Sequence, residues 1–359
     1  MIERHIASVQ RITSVIPVEN ADTLVKLQIL GWQVVGKKGD FKPNDLCVFF
    51  EIDSILPDHP VFEFMRQRRF RVKTIKLRGE LSQGLAMPLS IIGELADAVP
   101  TEINPDDLYE GVDLTEILGV KKREDVIKQT IQGSPRGNFP THLVPKTDEI
   151  RIQQTPHIME EFKGRMVYVT EKLDGTSGTY ILADDFYVCS RNLALKEDDT
   201  NVYWRMARQY NLRDKLALIK SFTGRSYAIQ GEIVGAGLQG NRNKRSDVGL
   251  YVFQIWDIDN RKFTDALDFI GLCYLLDLET VPFIHNGSEL AYFMWEASSV
   301  DDWLKACEEL TPMIRQIHDN PEYLHEGIVI RPAVECYSYN LRGRLSIKVI
   351  NNSYLLNEK

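Results

Sequence analysis

Several short stretches place ionisable side chains where a plain core strand would not hold them. In Glu171-Lys172-Leu173-Asp174-Gly175-Thr176 a lysine is followed two residues on by an acid and then a glycine, after the apolar residues Met166 and Tyr168. That reads as a strand ending in a tight turn, with an ammonium held beside a carboxylate and glycine supplying backbone freedom or room for a ligand. Lys-x-Asp-Gly alone is an ordinary turn sequence, so its weight depends on the rest of the chain. Ser190-Arg191-Asn192 closes a second strand. In Ala228-Ile229-Gln230-Gly231-Glu232-Ile233-Val234, Glu232 lies amid apolar residues with Gln230 on the same face. Phe253 sits in the aromatic stretch Tyr251–Asp257, Glu326 at the mouth of Gly327–Arg331, and Lys348 within Ser346–Ile350. A buried carboxylate costs several kcal/mol unless paired or near a metal. Lysines, acids and an arginine at strand positions of one region suit a nucleotide with a divalent metal, cations for phosphate and hard oxygens for the ion or its waters.

The elements that must position these residues fall into two parts. Residues 1–95 read as a small β-rich unit, with strands expected at Ile6–Ile12, Leu24–Leu30, Trp32–Val35, Leu46–Phe50 and Arg71–Leu77 between turn signals. Short strands at regular spacing suggest a small barrel, and Phe70–Lys76 would alternate so that Arg71 and Lys73 face outward. Residues 96–145 are broken by prolines and glycines and read as a linker holding one short helix, Leu114–Leu118. Residues 146–359 alternate strands (Met166–Glu171, Thr179–Leu182, Phe186–Cys189, Tyr227–Val234, Leu250–Ile258, Gly327–Arg331, Leu345–Ile350) with amphipathic helices (Val202–Ile219, Asp265–Leu276, Val300–His318). This order predicts an α+β fold with largely antiparallel sheets.

Totals exclude several classes. A net charge of −8 does not advertise nucleic-acid binding, but phosphate contacts come from local clusters. Three stand out: Arg66, Arg68, Arg69, Arg71, Lys73, Lys76 and Arg78; Arg242, Lys244 and Arg245; and Arg342, Arg344 and Lys348. The first surrounds Phe70, the pattern of a barrel that binds a polyanion through cations and an aromatic. The 5 cysteines are scattered without a C-x-x-C pair, which argues against a disulfide framework or a zinc ribbon and for a reducing interior. No apolar run approaches a membrane span and the first residues do not open a secretory signal, so a soluble intracellular protein is expected, cytoplasmic if prokaryotic or viral.

Taken in order, Lys-x-Asp-Gly, Ser-Arg-Asn, Gly-Glu, the aromatic strand, Glu-Gly-Ile-Val and the late lysine resemble the covalent nucleotidyltransferases over roughly 145–355. That superfamily includes ATP-dependent DNA and RNA ligases and mRNA capping enzymes. The barrel-first layout resembles a group of ATP-dependent RNA ligases with an amino-terminal OB module. The few residues after Ile350 leave no room for the OB or helical domain that other relatives append there. The resemblance implies an OB-like barrel (1–95), a linker (96–145) and an ATP-grasp-like nucleotidyltransferase domain (146–359).

It also implies roles. Lys172 would attack ATP and carry AMP, and Lys348 would bind the α-phosphate. Asp174, Glu232 and Glu326 would hold Mg²⁺ or Mn²⁺ through its waters. Glu171 would join the ATP contacts, Phe253 would stack on adenine, and Lys146 and Arg151 would reach the β- and γ-phosphates. Arg191 and Asn192 would engage the RNA end, with Arg69, Arg71 and Lys73 as barrel contacts. One departure is that Ser346 stands where relatives often carry a second lysine, a deficit that Arg344 could make up. The implied partner is RNA, as a nicked duplex or as 3′-hydroxyl and 5′-phosphate ends, with no obligate protein partner. The alternatives are a DNA ligase, a capping guanylyltransferase, or an end-binding protein with an inactive ligase domain.

Overall fold

The computed structural model describes residues 4–95, 107–123, 133–238, 241–284, 293–294 and 298–357. The chain divides into two compact units. One holds Ile2–Thr130 with Ile152–His157 and Leu355–Lys359, the other Ile131–Arg151 and Ile158–Tyr354.

In the first unit, strands β1 (Ala7–Pro17), β2 (Leu24–Ile29), β3 (Trp32–Lys37), β4 (Leu46–Phe50) and β5 (Leu85–Pro88) form an antiparallel sheet in the order β3-β2-β1-β4-β5. Strict alternation in β2 sends Val25, Leu27 and Ile29 inward. A hairpin, Ile75–Leu77 with Glu80–Ser82, returns to the far edge, where the Gln83 amide donates to the Gln33 carbonyl at 2.8 Å. The next residues pair with β4, so the sheet curls from β3 round to β5 as a barrel must.

Two expectations change here. Part of the predicted linker packs into this unit: Leu114, Leu118 and Val120 join Val9, Phe50 and Phe62 in one core. The Thr115 hydroxyl accepts the Ile6 and Ala7 amides at 3.2 and 3.3 Å. Residues 96–106 and 124–132 lie outside the described residues.

The basic stretch is also not one strand. Pro60–Arg68 is a 3₁₀ helix, Arg69 and Phe70 follow with φ of 52° and 58°, and only Ile75–Leu77 is strand. Alternation survives as buried Val72 and Thr74 around Lys73. Arg71, however, turns inward: its side chain is 12% exposed and stands 3.7 Å from Asp53. It is not the outward RNA contact expected. Arg69 is exposed and Lys73 half-buried.

The second unit carries, in chain order, β6 (Pro135–Asn138), β7 (Ile150–Arg151), β8 (Met166–Lys172), β9 (Thr176–Leu182), β10 (Phe186–Cys189), β11 (Leu193–Leu195), α1 (Val202–Gln209), α2 (Leu212–Thr223), β12 (Tyr227–Gly235), β13 (Val248–Asp257), β14 (Lys262–Phe263), α3 (Ala266–Leu275), β15 (Phe283–Ile284), α4 (Val300–Glu309), α5 (Thr311–Ile317), β16 (Gly327–Pro332) and β17 (Ile347–Ile350). Two long helices expected from sequence are each divided. Asn211 in the left-handed region separates α1 from α2, and Pro312 starts α5 afresh.

One sheet runs β6-β11-β10-β9-β12-β13-β14, the other β7-β17-β16-β8-β15 with Phe293–Met294 also against β8. Every pair within them is antiparallel except β7 with β17. Helices α1, α2 and α3 cover the first sheet through Met206, Leu216 and Phe269 packed on Tyr180, Ile229 and Val252. Because β8 belongs to one sheet and β9 to the other, the turn Leu173-Asp174-Gly175 passes between the two sheets.

Candidate active site

Pairing of β8 with β16 sets Lys172 opposite Gly327, which brings the preceding Glu326 to the lysine tip. Lys172 Nζ lies 2.7 Å from Glu326 Oε2, both side chains half-buried. Pairing of β9 with β12 sets Ser177 opposite Glu232 and delivers that carboxylate across the turn. Gly175 permits the approach: a Cβ there would fall 2.3 Å from the Ile233 carbonyl oxygen and 3.0 Å from Glu232 Cγ. Asp174 accepts a hydrogen bond from the Tyr354 hydroxyl and stands 3.7 Å from Arg242 Nε.

Three carboxylates thus surround one ammonium, and the charge balance shows in their protonation. Burial pushes Glu232 up to about 8, with Glu326 and Asp174 adding to the rise against the pull of Lys172. Asp174 is raised too, by burial and by Glu326. Burial works to lower Lys172, but Glu326, Glu232 and Asp174 outweigh it and hold the ammonium above the usual lysine range. Excess buried negative charge of this kind suits a divalent cation. Among the described residues no three His, Cys, Asp or Glu side chains converge tightly enough to ligate one ion directly. The set fits a hydrated ion held through its waters.

Other expected site residues gather nearby. Lys348 pairs with Val329 on one side and Arg151 on the other, and its charge reaches Asp148. Lys146 Nζ donates to Asn192 Oδ1 at 3.1 Å, and Arg191 is ion-paired with Asp148. Phe253 packs with Tyr251 against Leu173, Val234 and Val281, close behind the lysine turn. A buried amide chain ties the strands: Gln254 Nε2 donates to Gln230 Oε1 at 2.6 Å, and Gln230 Nε2 to the Pro145 carbonyl at 3.0 Å.

Glu171 does not join this group. As the neighbour of Lys172 in a strand it points to the opposite face, where its Oε2 lies 2.6 Å from His318 Nε2. The His318 ring stacks on Tyr323 with centroids 3.8 Å apart. Arg344 does not supply a spare cation either: its side chain is 9% exposed, ion-paired with Glu335, bonded to Gln254 and stacked over Phe263. Ser346 accepts from Arg331, whose guanidinium is buried against Glu149. Sequence reading gave no role to Tyr354 and noted Arg242 only as one of a basic cluster. A tyrosine near the end of the chain carries no signal for a partner at position 174.

Comparison with known proteins bears on the family and the fold. Residues 6–89 match an OB-fold domain family and residues 165–350, just over half of the chain, match the RNA ligase family. No curated protein matches. Among solved structures, a Glu-to-Ala variant of Naegleria gruberi RNA ligase with ATP and Mn is 31% identical, with 99% of each chain covered and a TM-score of 0.80. A Lys-to-Met variant of the same ligase with AMP and Mn is 31% identical over 99% of each chain, at 0.78. The ligase with PPi is 32% identical over 98% of each chain, also at 0.78. The barrel-first α+β fold is that of the Naegleria ligase, and no helix among the described residues is long and apolar enough to cross a membrane. On the family match and the near-complete coverage of these structures, the chain belongs to the RNA ligase family.

Proposed function

We propose that this protein is an ATP-dependent RNA ligase that joins a 3′-hydroxyl to a 5′-phosphate, at nicks in a duplex, through AMP carried on Lys172. The observation that carries the reading is the convergence of Lys172, Asp174, Glu232 and Glu326 at one turn between two sheets. The Naegleria structures with ATP, AMP and Mn support the nucleotide and a divalent metal.

An ordinary lysine, of pKa about 10.4, is neutral only about one time in a thousand near pH 7.4. Here the carboxylates hold it charged still more firmly. Asp174, Glu232 and Glu326 would hold Mg²⁺ or Mn²⁺ through water, and the bound cation would cancel the field that keeps the proton on Lys172. Lys348 would bind the α-phosphate, and Phe253 would stack on adenine at the floor formed with Leu173 and Val234. Lys146 and Arg151 would face the β- and γ-phosphates, while Arg191 and Asn192 would take the RNA end. Glu171, clasped by His318 on the far face, would hold the strand rather than touch ATP. On the barrel, Arg69 and Lys73 would meet RNA.

The test is incubation with α-labelled ATP and Mn²⁺ followed by denaturation. Label should survive in the wild type and be absent in Lys172→Ala. No adduct from the wild type with either metal would sink the proposal. Nicked duplex supplied beside single-stranded ends should be sealed first, and a preference for free single strands would remove the nick from the reading.

A further inference from the structure

The stretch joining β16 to β17 carries two tyrosines and an arginine that the lysyl-AMP reading leaves unused. It forms a hairpin, Tyr337–Ser338 against Gly343–Arg344. Strand alternation turns Ser338 in and Tyr337 and Tyr339 out. The buried Ser338 Oγ donates to Glu161 Oε1 at 2.9 Å and accepts the Leu341 amide at 3.0 Å. Asn340 Nδ2 donates to the same carboxylate oxygen at 2.5 Å, and the Glu335 amide donates to Asp265 Oδ1 at 2.7 Å. Arg344 ties the base inward through Glu335 and Gln254. The hairpin is braced on its unit, so what it shows to solvent is held there.

What it shows is aromatic and cationic. Tyr337 is 59% and Tyr339 87% exposed, and their rings meet edge to face with centroids 5.3 Å apart. One ring of such a pair keeps both faces open. A single exposed apolar side chain is ordinary, whereas two rings fixed side by side on a braced hairpin make a platform. Arg342, at the turn, is exposed and its side chain meets no acid among the described residues. The acids at hand are occupied, Glu161 by Ser338 and Asn340, and Glu335 by Arg344. A second exposed cation, Arg165, lies close enough for its charge to reach the Cys336 thiol. Past the turn, Leu341 lines one cleft with Lys146, Thr147, Asp148 and Arg344. Asp148 is the partner of Arg191, so the hairpin continues the face proposed for the RNA end.

We propose that Tyr337, Tyr339 and Arg342 form a binding site for unpaired nucleotides of RNA. A base stacks on an open tyrosine face, and the phosphate beside it meets the Arg342 guanidinium. The inference rests on the RNA ligase reading for its ligand but does not need AMP on Lys172. The site adds to the grip on RNA and takes no part in making or breaking bonds.

The test titrates the full-length protein with single-stranded oligoadenylate and with an abasic ribose-phosphate chain of the same length. Tyr337→Ala with Tyr339→Ala should weaken oligoadenylate binding by about tenfold and leave the abasic chain unchanged, and the double phenylalanine variant should keep wild-type affinity. Arg342→Ala should weaken both probes and flatten the plot of log affinity against log salt by about 0.7. Adduct formation from ATP in Mn²⁺ should stay within about threefold of wild type in every variant, with an unchanged melting temperature, which separates lost binding from lost fold. Wild-type oligoadenylate affinity in the double alanine variant would overturn the proposal. So would equal losses on the two probes, since no base would then be stacking. A wild-type dimer in light scattering that the double alanine variant dissolves, with RNA affinity unchanged, would give the hairpin to a second copy of the chain instead. Absence of adduct from the wild type would remove the lysyl-AMP reading, and the titration would still decide the hairpin.

Discussion

The lysine turn of the ligase unit and the arginine-rich stretch of the barrel unit look alike in sequence, each dense in ionisable residues, yet the fold treats them oppositely. At the turn, three carboxylates converge on Lys172, and burial holds Glu232 near 8 and Asp174 above its ordinary range. On the barrel, two arginines of the stretch are answered by acids, one at the surface and one turned inward. Arg66 lies between Asp58 at 2.7 Å and Glu63 at 2.8 Å, and Arg71 turns to Asp53. Buried excess of one sign is costly and persists where a ligand will neutralise it. Paired surface charge costs little and stabilises little. On the proposed function, the contrast separates a site for one chemical event from a surface that would meet a polymer.

The sharpest break of this comparison is at Glu326. Glu326→Ala removes the partner 2.7 Å from Lys172 and one third of the carboxylate set. Adduct formation should fall by on the order of 1,000-fold, measured by label transfer from ATP in Mn²⁺, with the melting temperature kept within a few degrees. Activity close to wild type would show that the cluster is an ordinary ion pair.

Gly175→Ala comes next. The added methyl would lie 2.3 Å from a backbone oxygen, so strand β12 with Glu232 must move away from the turn. A shift of about 1 Å costs roughly 100-fold in catalysis. The check is a parallel measurement of adduct rate and thermal stability. A wild-type rate would mean that the Glu232–Lys172 spacing is not critical.

These two positions also show what was legible beforehand. Glycine after Lys-x-Asp was readable as backbone freedom or close approach of a ligand, and the structure shows that what approaches is the Ile233 carbonyl and Glu232 Cγ. The strands at or beside Lys172, Glu232, Glu326 and Lys348 were visible because each holds apolar residues next to the polar one, as in Met166–Val169, Ile233–Val234, Ile328–Ile330 and Ile347–Ile350. The Glu171 side chain lies on the face opposite Lys172 because adjacency in sequence means opposite faces in a strand. Arg242 and Tyr354 stand 112 positions apart in sequence, and no local pattern encodes their meeting. The linker was over-extended because Leu114, Leu118 and Val120 lie among residues that signal turns, and only the core shows what they cover.

A smaller effect is expected at Arg191. Paired with half-buried Asp148, it is set to exchange that carboxylate for a phosphate. Arg191→Ala should leave adduct formation from ATP within about threefold of wild type and slow sealing of RNA by roughly tenfold. Equal loss in both assays would place Arg191 with the nucleotide instead of the RNA end.

The smallest effect tests the barrel side of the comparison directly. Arg69 is exposed and Lys73 half-buried on the outer turn, whereas Arg71 is 12% exposed beside Asp53. If Arg69 and Lys73 each neutralise one phosphate, the double alanine variant should flatten the plot of log affinity against log salt by a little under about two units of slope. Arg71→Ala should leave that slope in place and lower stability by about 1 kcal/mol, because it breaks an internal pair without touching the polymer. The two variants therefore move different observables, one in RNA binding titrated with salt and the other in denaturant unfolding. A salt slope that falls with Arg71→Ala and not with the double variant would reverse the assignment and make the inward arginine the RNA contact. Two flat responses would mean that this stretch, dense as it is, does not meet RNA, since a phosphate contact cannot form without releasing counterions.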